Sequence, residues 1–169
     1  AKLPEKGLVN LAYFDLGFRN MTNGKRAIKT ADDIVGLKLR VIQSPIYIDT
    51  FNALGANAVP MPFTEVYTAL EQKIIDGQEN PFSVIETSKL NEVQKYLTTT
   101  GHVYNASPFL LSKKFYDGLT DKEKEAVKKA AKEAQAFQRL ENDKEDTVSA
   151  GTLQARGMKI TALNPGEQQ

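Results

Sequence analysis

An α/β fold is predicted, on three observations. Short β-favouring runs alternate with amphipathic helical segments through the middle of the chain, the pattern that layers helices on a sheet. Residues 96–112 form an extended run long enough for one strand to serve two lobes. Finally, 41% apolar and 8% aromatic residues in a chain of 169 supply a core for one domain of ordinary size, or for two small lobes.

The elements follow in order. Residues 8–18 (LVNLAYFDLGF) are rich in β-favouring side chains with partial alternation and read as the first strand. Asn23-Gly24 is the strongest short hairpin signal, because a type I′ turn needs positive φ at both central residues; it lies between residues 19–22 and 26–28. Thr30 caps a short helical turn, 31–34, that Gly36 ends. Residues 37–41 (LKLRV) alternate apolar and basic side chains, a short strand whose basic face meets water or a cleft. Pro45 then starts a helix, with Tyr47, Phe51 and Leu54 on one apolar face and Gly55 at its stop. Residues 57–60 give another strand. Beyond it, Thr64 caps a helix with Tyr67, Leu70 and Ile74 on its apolar face, closed by Asp76-Gly77. Extended segments follow at 78–82 and 96–112. The clearest helix runs from Thr120 to about Ala150: Thr120 and Glu123 make a capping box, and Val127, Ala130, Ala134 and Phe137 supply the stripe expected to be buried. Residues 158–161 finish with a short strand.

Composition excludes several functions. The chain has no cysteine and one histidine, so disulfides, cysteine nucleophiles and His- or Cys-rich metal sites lack their residues. Its 22 Lys+Arg against 21 Asp+Glu, a net charge of +1, give no bulk field for nucleic acid. The longest apolar runs, such as Phe109-Leu110-Leu111, fall far short of the roughly 20 residues that span a bilayer. No G-x-S-x-G, H-E-x-x-H, Walker loop or G-x-G-x-x-G is present. Neither a cofactor nor a metal is expected. His102, alone on a strand, reads as a packed or surface side chain, and Asp32-Asp33 as a pair that stabilises a helix N-terminus. Both ends of the chain read as cut: Ala1 opens it without a basic and apolar leader, and residues 164–169 (NPGEQQ) stop at a turn signal.

Two places remain for a ligand. Arg40 ends a strand, and the carboxyl ends of strands in open α/β sheets face the ligand crevice; its planar fork fits a carboxylate bidentately, although spacing alone favours a surface ion pair. Residues 77–81 (GQENP) mass polar groups at a corner after a helix, where they either coordinate a small polar ligand or cap turns.

Taken together, GFRNMT (17–22), ADDIVGLKLRV (31–41), MPFTEVYTAL (61–70) and DGQENP (76–81), in this order, closely resemble the DctP-type solute-binding proteins of TRAP transporters. The resemblance extends over essentially the whole chain, including NEVQKY (91–96) and the Leu119-Thr120 start of the long helix. It implies a periplasmic-binding-protein-like, two-lobed α/β fold, incomplete here. Residues 1–16 would lead into the hinge, 17–106 form the second lobe, 107–146 return to the first, and 147–169 cross back. It further implies a periplasmic receptor that closes on an organic acid, a C4-dicarboxylate or sugar acid, and delivers it to a TRAP membrane permease without inserting into the membrane itself. Arg40 resembles the family arginine that pairs with the ligand carboxylate, and Asn80 the asparagine that holds the same group from the far side. Phe63 matches an aromatic that packs on the ligand, Gln43 the polar position three after the arginine, and Arg19 a second arginine of some members. By itself the local sequence would make Phe63 ordinary core. Two other readings are weighed: an enzyme lobe acting on carboxylates with Glu79 as base, which lacks an evident titratable partner, and an interaction module built on the long helix, whose single apolar stripe argues for packing within the chain.

Overall fold

The computed structural model describes residues 2–167; the cut ends read at Ala1 and Gln168-Gln169 lie outside the described residues. Six strands among these form one sheet: β1 (Leu8–Asn23), β2 (Lys38–Val41), β3 (Asn57–Pro60), β4 (Gly77–Asn80), β5 (Tyr96–Ser112) and β6 (Lys159–Ala162), in the order β3-β2-β4-β1-β5-β6. Strands β2 and β3, β2 and β4, and β5 and β6 pair in parallel, while β1 and β4 are antiparallel. The helices are α1 (Pro45–Ala53), α2 (Val66–Glu71), α3 (Phe82–Thr87), α4 (Lys113–Asp117) and α5 (Asp121–Ala155). The mixed α/β architecture is the one the sequence predicts.

The chain divides into two compact units, 1–17 with 104–145 and 18–103 with 146–169. In the first, Phe14 and Phe109 stack at 5.2 Å between ring centroids. There the helix α5 differs from expectation. Phe137 is 67% exposed, and Ala130 and Ala134 are also exposed; Ala131 is buried instead. Gln135 and Gln138 take the inward positions for a physical reason: main-chain groups of β1 need partners there. The Tyr13 N–H donates to Gln135 at 3.1 Å, the Asp15 N–H donates to Gln138 at 2.8 Å, and the Gln138 amide donates back to the Asp15 carbonyl at 2.7 Å. The Thr120–Glu123 capping box forms as read, with the Thr120 N–H and hydroxyl both donating to the Glu123 carboxylate at 2.8 Å.

The second unit has a core on each face of its sheet. On one face Met21, Leu39 and Val41 meet Phe51 of α1; on the other Val66, Ala69 and Leu70 of α2 meet Ile85 of α3 and Leu153 of α5. Three local expectations change. Asn23-Gly24 closes no hairpin, because Asn23 accepts from the N–H groups of Lys25 and Arg26, both at 2.8 Å, and turns the chain away from β1. Thr64 makes no side-chain cap: a 3-10 turn, Phe63–Glu65, precedes α2, and Ile74 is exposed. Gly77 is no helix stop but the first residue of β4. A Cβ there would lie 2.2 Å from the Thr22 carbonyl oxygen, so only glycine admits the close approach of β1 to β4.

Candidate functional site

The strand register decides which polar side chains meet. Asn20 lies opposite Asn80, Met21 opposite Glu79 and Thr22 opposite Gln78; in parallel, Leu39 lies opposite Gly77. Side chains alternate along a strand and opposed residues share a face. Arg40, Gln78, Asn80, Thr22 and Asn20 therefore occupy one face, and Arg19 and Glu79 the other. The five residues singled out in the sequence do not form one cluster.

Arg40 is 4% exposed. Its Nε and one terminal nitrogen both donate to a single acceptor, the Met61 carbonyl, at 2.9 and 2.8 Å. Its guanidinium carbon sits 5.8 Å from the centroid of the Phe63 ring, within cation–π range. Among the described residues no carboxylate comes within ion-pair distance of it. Burial pushes the Arg40 guanidinium below its ordinary value, Glu79 opposes that shift and Arg19 adds to it. A buried cation served by one neutral carbonyl is poorly compensated. Its remaining donors match a planar carboxylate.

Phe63 is 43% exposed and is not core; it opens the 3-10 turn before α2 and lays its ring on Arg40. Asn80 ends β4, buried, and its Nδ2 donates to the Gln78 Oε1 at 2.5 Å. Gln43 lies in an exposed bend between β2 and α1, and its side chain makes no hydrogen bond among the described residues.

Arg19 is turned to the other face, where it holds both oxygens of the Glu79 carboxylate and, at 2.6 Å, the Glu79 carbonyl. The Tyr47 ring of α1 lies 5.9 Å from the Arg19 guanidinium. Glu79 also meets His102: the imidazole Nε2 is 3.2 Å from Glu79 Oε2, and Nδ1 is 2.7 Å from the Thr100 hydroxyl. Burial raises the affinity of the Glu79 carboxyl for its proton, but the hydrogen bonds from His102 and Arg19 and their charges outweigh it, so the group stays below the usual glutamate range. A carboxylate so engaged is a poor general base. His102, read from the sequence as a packed or surface histidine, is thus part of a polar network, and its ring meets Phe51 edge-on at 5.5 Å. No pattern in one sequence announces that contact, since it joins residues 23 positions apart on β4 and β5, across the intervening strand β1.

A cavity of about 410 Å³ opens beside Phe51, Thr100 and His102, and another of about 770 Å³ beside Gly24, Asp76 and Gly157. Neither is lined by Arg40 or Asn80. Among the described residues no group of three or more His, Cys, Asp or Glu is placed to hold a metal ion, and no helix is long and apolar enough to cross a membrane.

The DctP model, described as bacterial extracellular solute-binding protein, family 7, matches residues 1–169. The 2,3-diketo-L-gulonate-binding periplasmic protein YiaO of Escherichia coli K12 is 41% identical over 165 residues, 97% of this chain and 50% of its own. A solute-binding protein of Verminephrobacter eiseniae is 42% identical over 155 residues, 92% of this chain and 46% of its own. The crystal structure of the sugar acid binding protein DctPAm from Advenella mimigardefordensis, in complex with galactonate, superposes with a TM-score of 0.95 at 48% identity, over 99% of this chain and 54% of that one. The chain therefore spans about half the length of the curated relatives it matches.

Proposed function

The chain belongs to family 7 of the bacterial extracellular solute-binding proteins, and on that premise we propose that it is about half of a TRAP-type solute receptor. In this reading the protein works outside the cytoplasm, binds a small organic acid by its carboxylate without chemical change, and hands it to the membrane permease. One observation carries the proposal: Arg40 is buried and, among the described residues, has only the Met61 carbonyl as acceptor and no carboxylate within ion-pair distance. A ligand carboxylate supplies the counter-charge. Hydrogen bonds to a charged group contribute about 1.5–3 kcal/mol each, so a two-pronged pair on Arg40 is the main anchor. Phe63 and Asn80 flank it, and Gln43 stands at the exposed approach. Arg19 then acts from behind, its charge already met by Glu79. Sugar acids are favoured over C4-dicarboxylates, in line with relatives named for diketogulonate and galactonate.

Arg40→Lys tests the assignment. It keeps the charge but loses the fork. In the full-length protein, calorimetric affinity for the acid should fall by more than about tenfold. An unchanged affinity removes Arg40 from the site.

A further inference from the structure

We propose that Pro62 is a positioning residue for the acid: by fixing the Met61–Pro62 peptide it sets the Arg40 guanidinium in place before a ligand arrives. The inference rests on the carboxylate reading of Arg40, and Pro62 acts on the ligand only through that side chain. An arginine has many rotamers, and ordering it at each binding event would subtract from affinity.

The anchor is a single oxygen. The Met61 carbonyl accepts from Arg40 Nε at 2.9 Å and from one terminal nitrogen at 2.8 Å. It fills the edge of the fork beside Nε and leaves the edge between the two terminal nitrogens to a carboxylate. Where that oxygen points is decided by the plane of the 61–62 peptide. Such a plane turns over when ψ of the first residue and φ of the second change together in opposite senses. Here the second residue is proline. Its ring locks φ near about −65°, and Pro62 stands at φ −56° and ψ 144°. The ring also crowds Met61 out of the helical region, which would aim the carbonyl elsewhere.

Met61 is held on its other side as well. Its N–H donates to the Val41 carbonyl at 3.3 Å, continuing the parallel pairing that sets Arg40 opposite Val59 and Val41 opposite Pro60. One side of Met61 is thus tied to β2, and the other is stiffened by the proline. Phe63, next in the chain, lays its ring 5.8 Å from the guanidinium carbon, but an aromatic face fixes the distance of a cation more than the direction of its fork. The carbonyl sets that direction. Pro62→Ala keeps the peptide and its carbonyl and removes only the two torsional restraints.

The test has a ligand-free arm and a binding arm, both on the full-length protein. In the first, heteronuclear NMR follows hydrogen exchange of the Arg40 Nε–H, assigned by its loss in Arg40→Lys. Exchange should be at least about fivefold faster in Pro62→Ala than in the native protein; equal rates overturn the inference. In the second, calorimetry is run with D-gluconate, D-galactonate and D-glucuronate. Affinity for an acid that binds should fall about three- to tenfold in Pro62→Ala. The same change made in Arg40→Lys should alter affinity by less than about twofold, because a lysine has no fork for the carbonyl to aim. A general structural defect would lower affinity alike in both backgrounds, and that outcome overturns the inference, as does unchanged affinity in Pro62→Ala alone. Binding of none of the three acids, or undiminished affinity in Arg40→Lys, overturns the carboxylate reading instead, whatever the exchange rates show.

Discussion

Glu79 holds its charge in the interior because Arg19 meets both of its oxygens and His102 adds a third polar contact. Removing one partner of such a pair is worse than removing both, since the survivor is left buried and unpaired. Glu79→Gln should therefore destabilise the protein by about 3 kcal/mol in urea unfolding, and adding Arg19→Met should recover part of that loss. The pH dependence has a definite sign. A carboxyl whose folded value is lowered binds protons less readily than in the unfolded chain. Its stabilisation is complete above the ordinary glutamate range of about 4 to 4.5 and is lost as pH falls below that range toward the lowered folded value. Acid unfolding of Glu79→Gln should be correspondingly shallower; an unchanged slope would mean that the ion pair does not couple to folding. In the sequence, Arg40 was legible by its place at the end of a strand, and the polar corner at residues 77–81 by its composition. The split of that corner into Asn80 on one face and Glu79 on the other was not, because it depends on a register that no local pattern specifies.

At the scale of elements, Gly77 shows how a correct residue can carry the wrong reason. After a helical pattern, Asp76-Gly77 reads as a stop, yet the glycine is needed because β1 passes over its Cα with the Thr22 carbonyl where a side chain would begin. Gly77→Ala should cost about 3 kcal/mol or more, since the contact is with backbone and cannot rotate away. A loss below about 1 kcal/mol in chemical denaturation would show that the two strands separate easily. The strands β3 and β5 and the capping box of α5 were legible because their signals are local: length, β-branched or aromatic content, and Thr-x-x-Glu spacing. The stripe on α5 was not. Periodicity assigns the buried face to apolar residues, whereas here Gln135 and Gln138 turn inward to satisfy main-chain groups at Tyr13 and Asp15, a need set by another element 120 residues away in the chain.

For the whole molecule, a net charge of +1 conceals an uneven interior, in which one buried arginine is neutralised by Glu79 and the other, Arg40, has no carboxylate partner among the described residues. Recognition in this account is local and needs one negative group of the right shape. Long-range attraction plays little part. The α/β class followed from alternation of elements, but the division into units 1–17 with 104–145 and 18–103 with 146–169 reflects long elements that contribute to both, and composition along the chain shows no corresponding break. The most direct measurement is calorimetric titration of the full-length protein with D-gluconate and with D-gluconamide, which has nearly the same shape and hydroxyl pattern but no charge. The acid should bind and the amide should be weaker by about a hundredfold or more, since it leaves Arg40 buried without a counter-charge. Equal affinities would contradict the account.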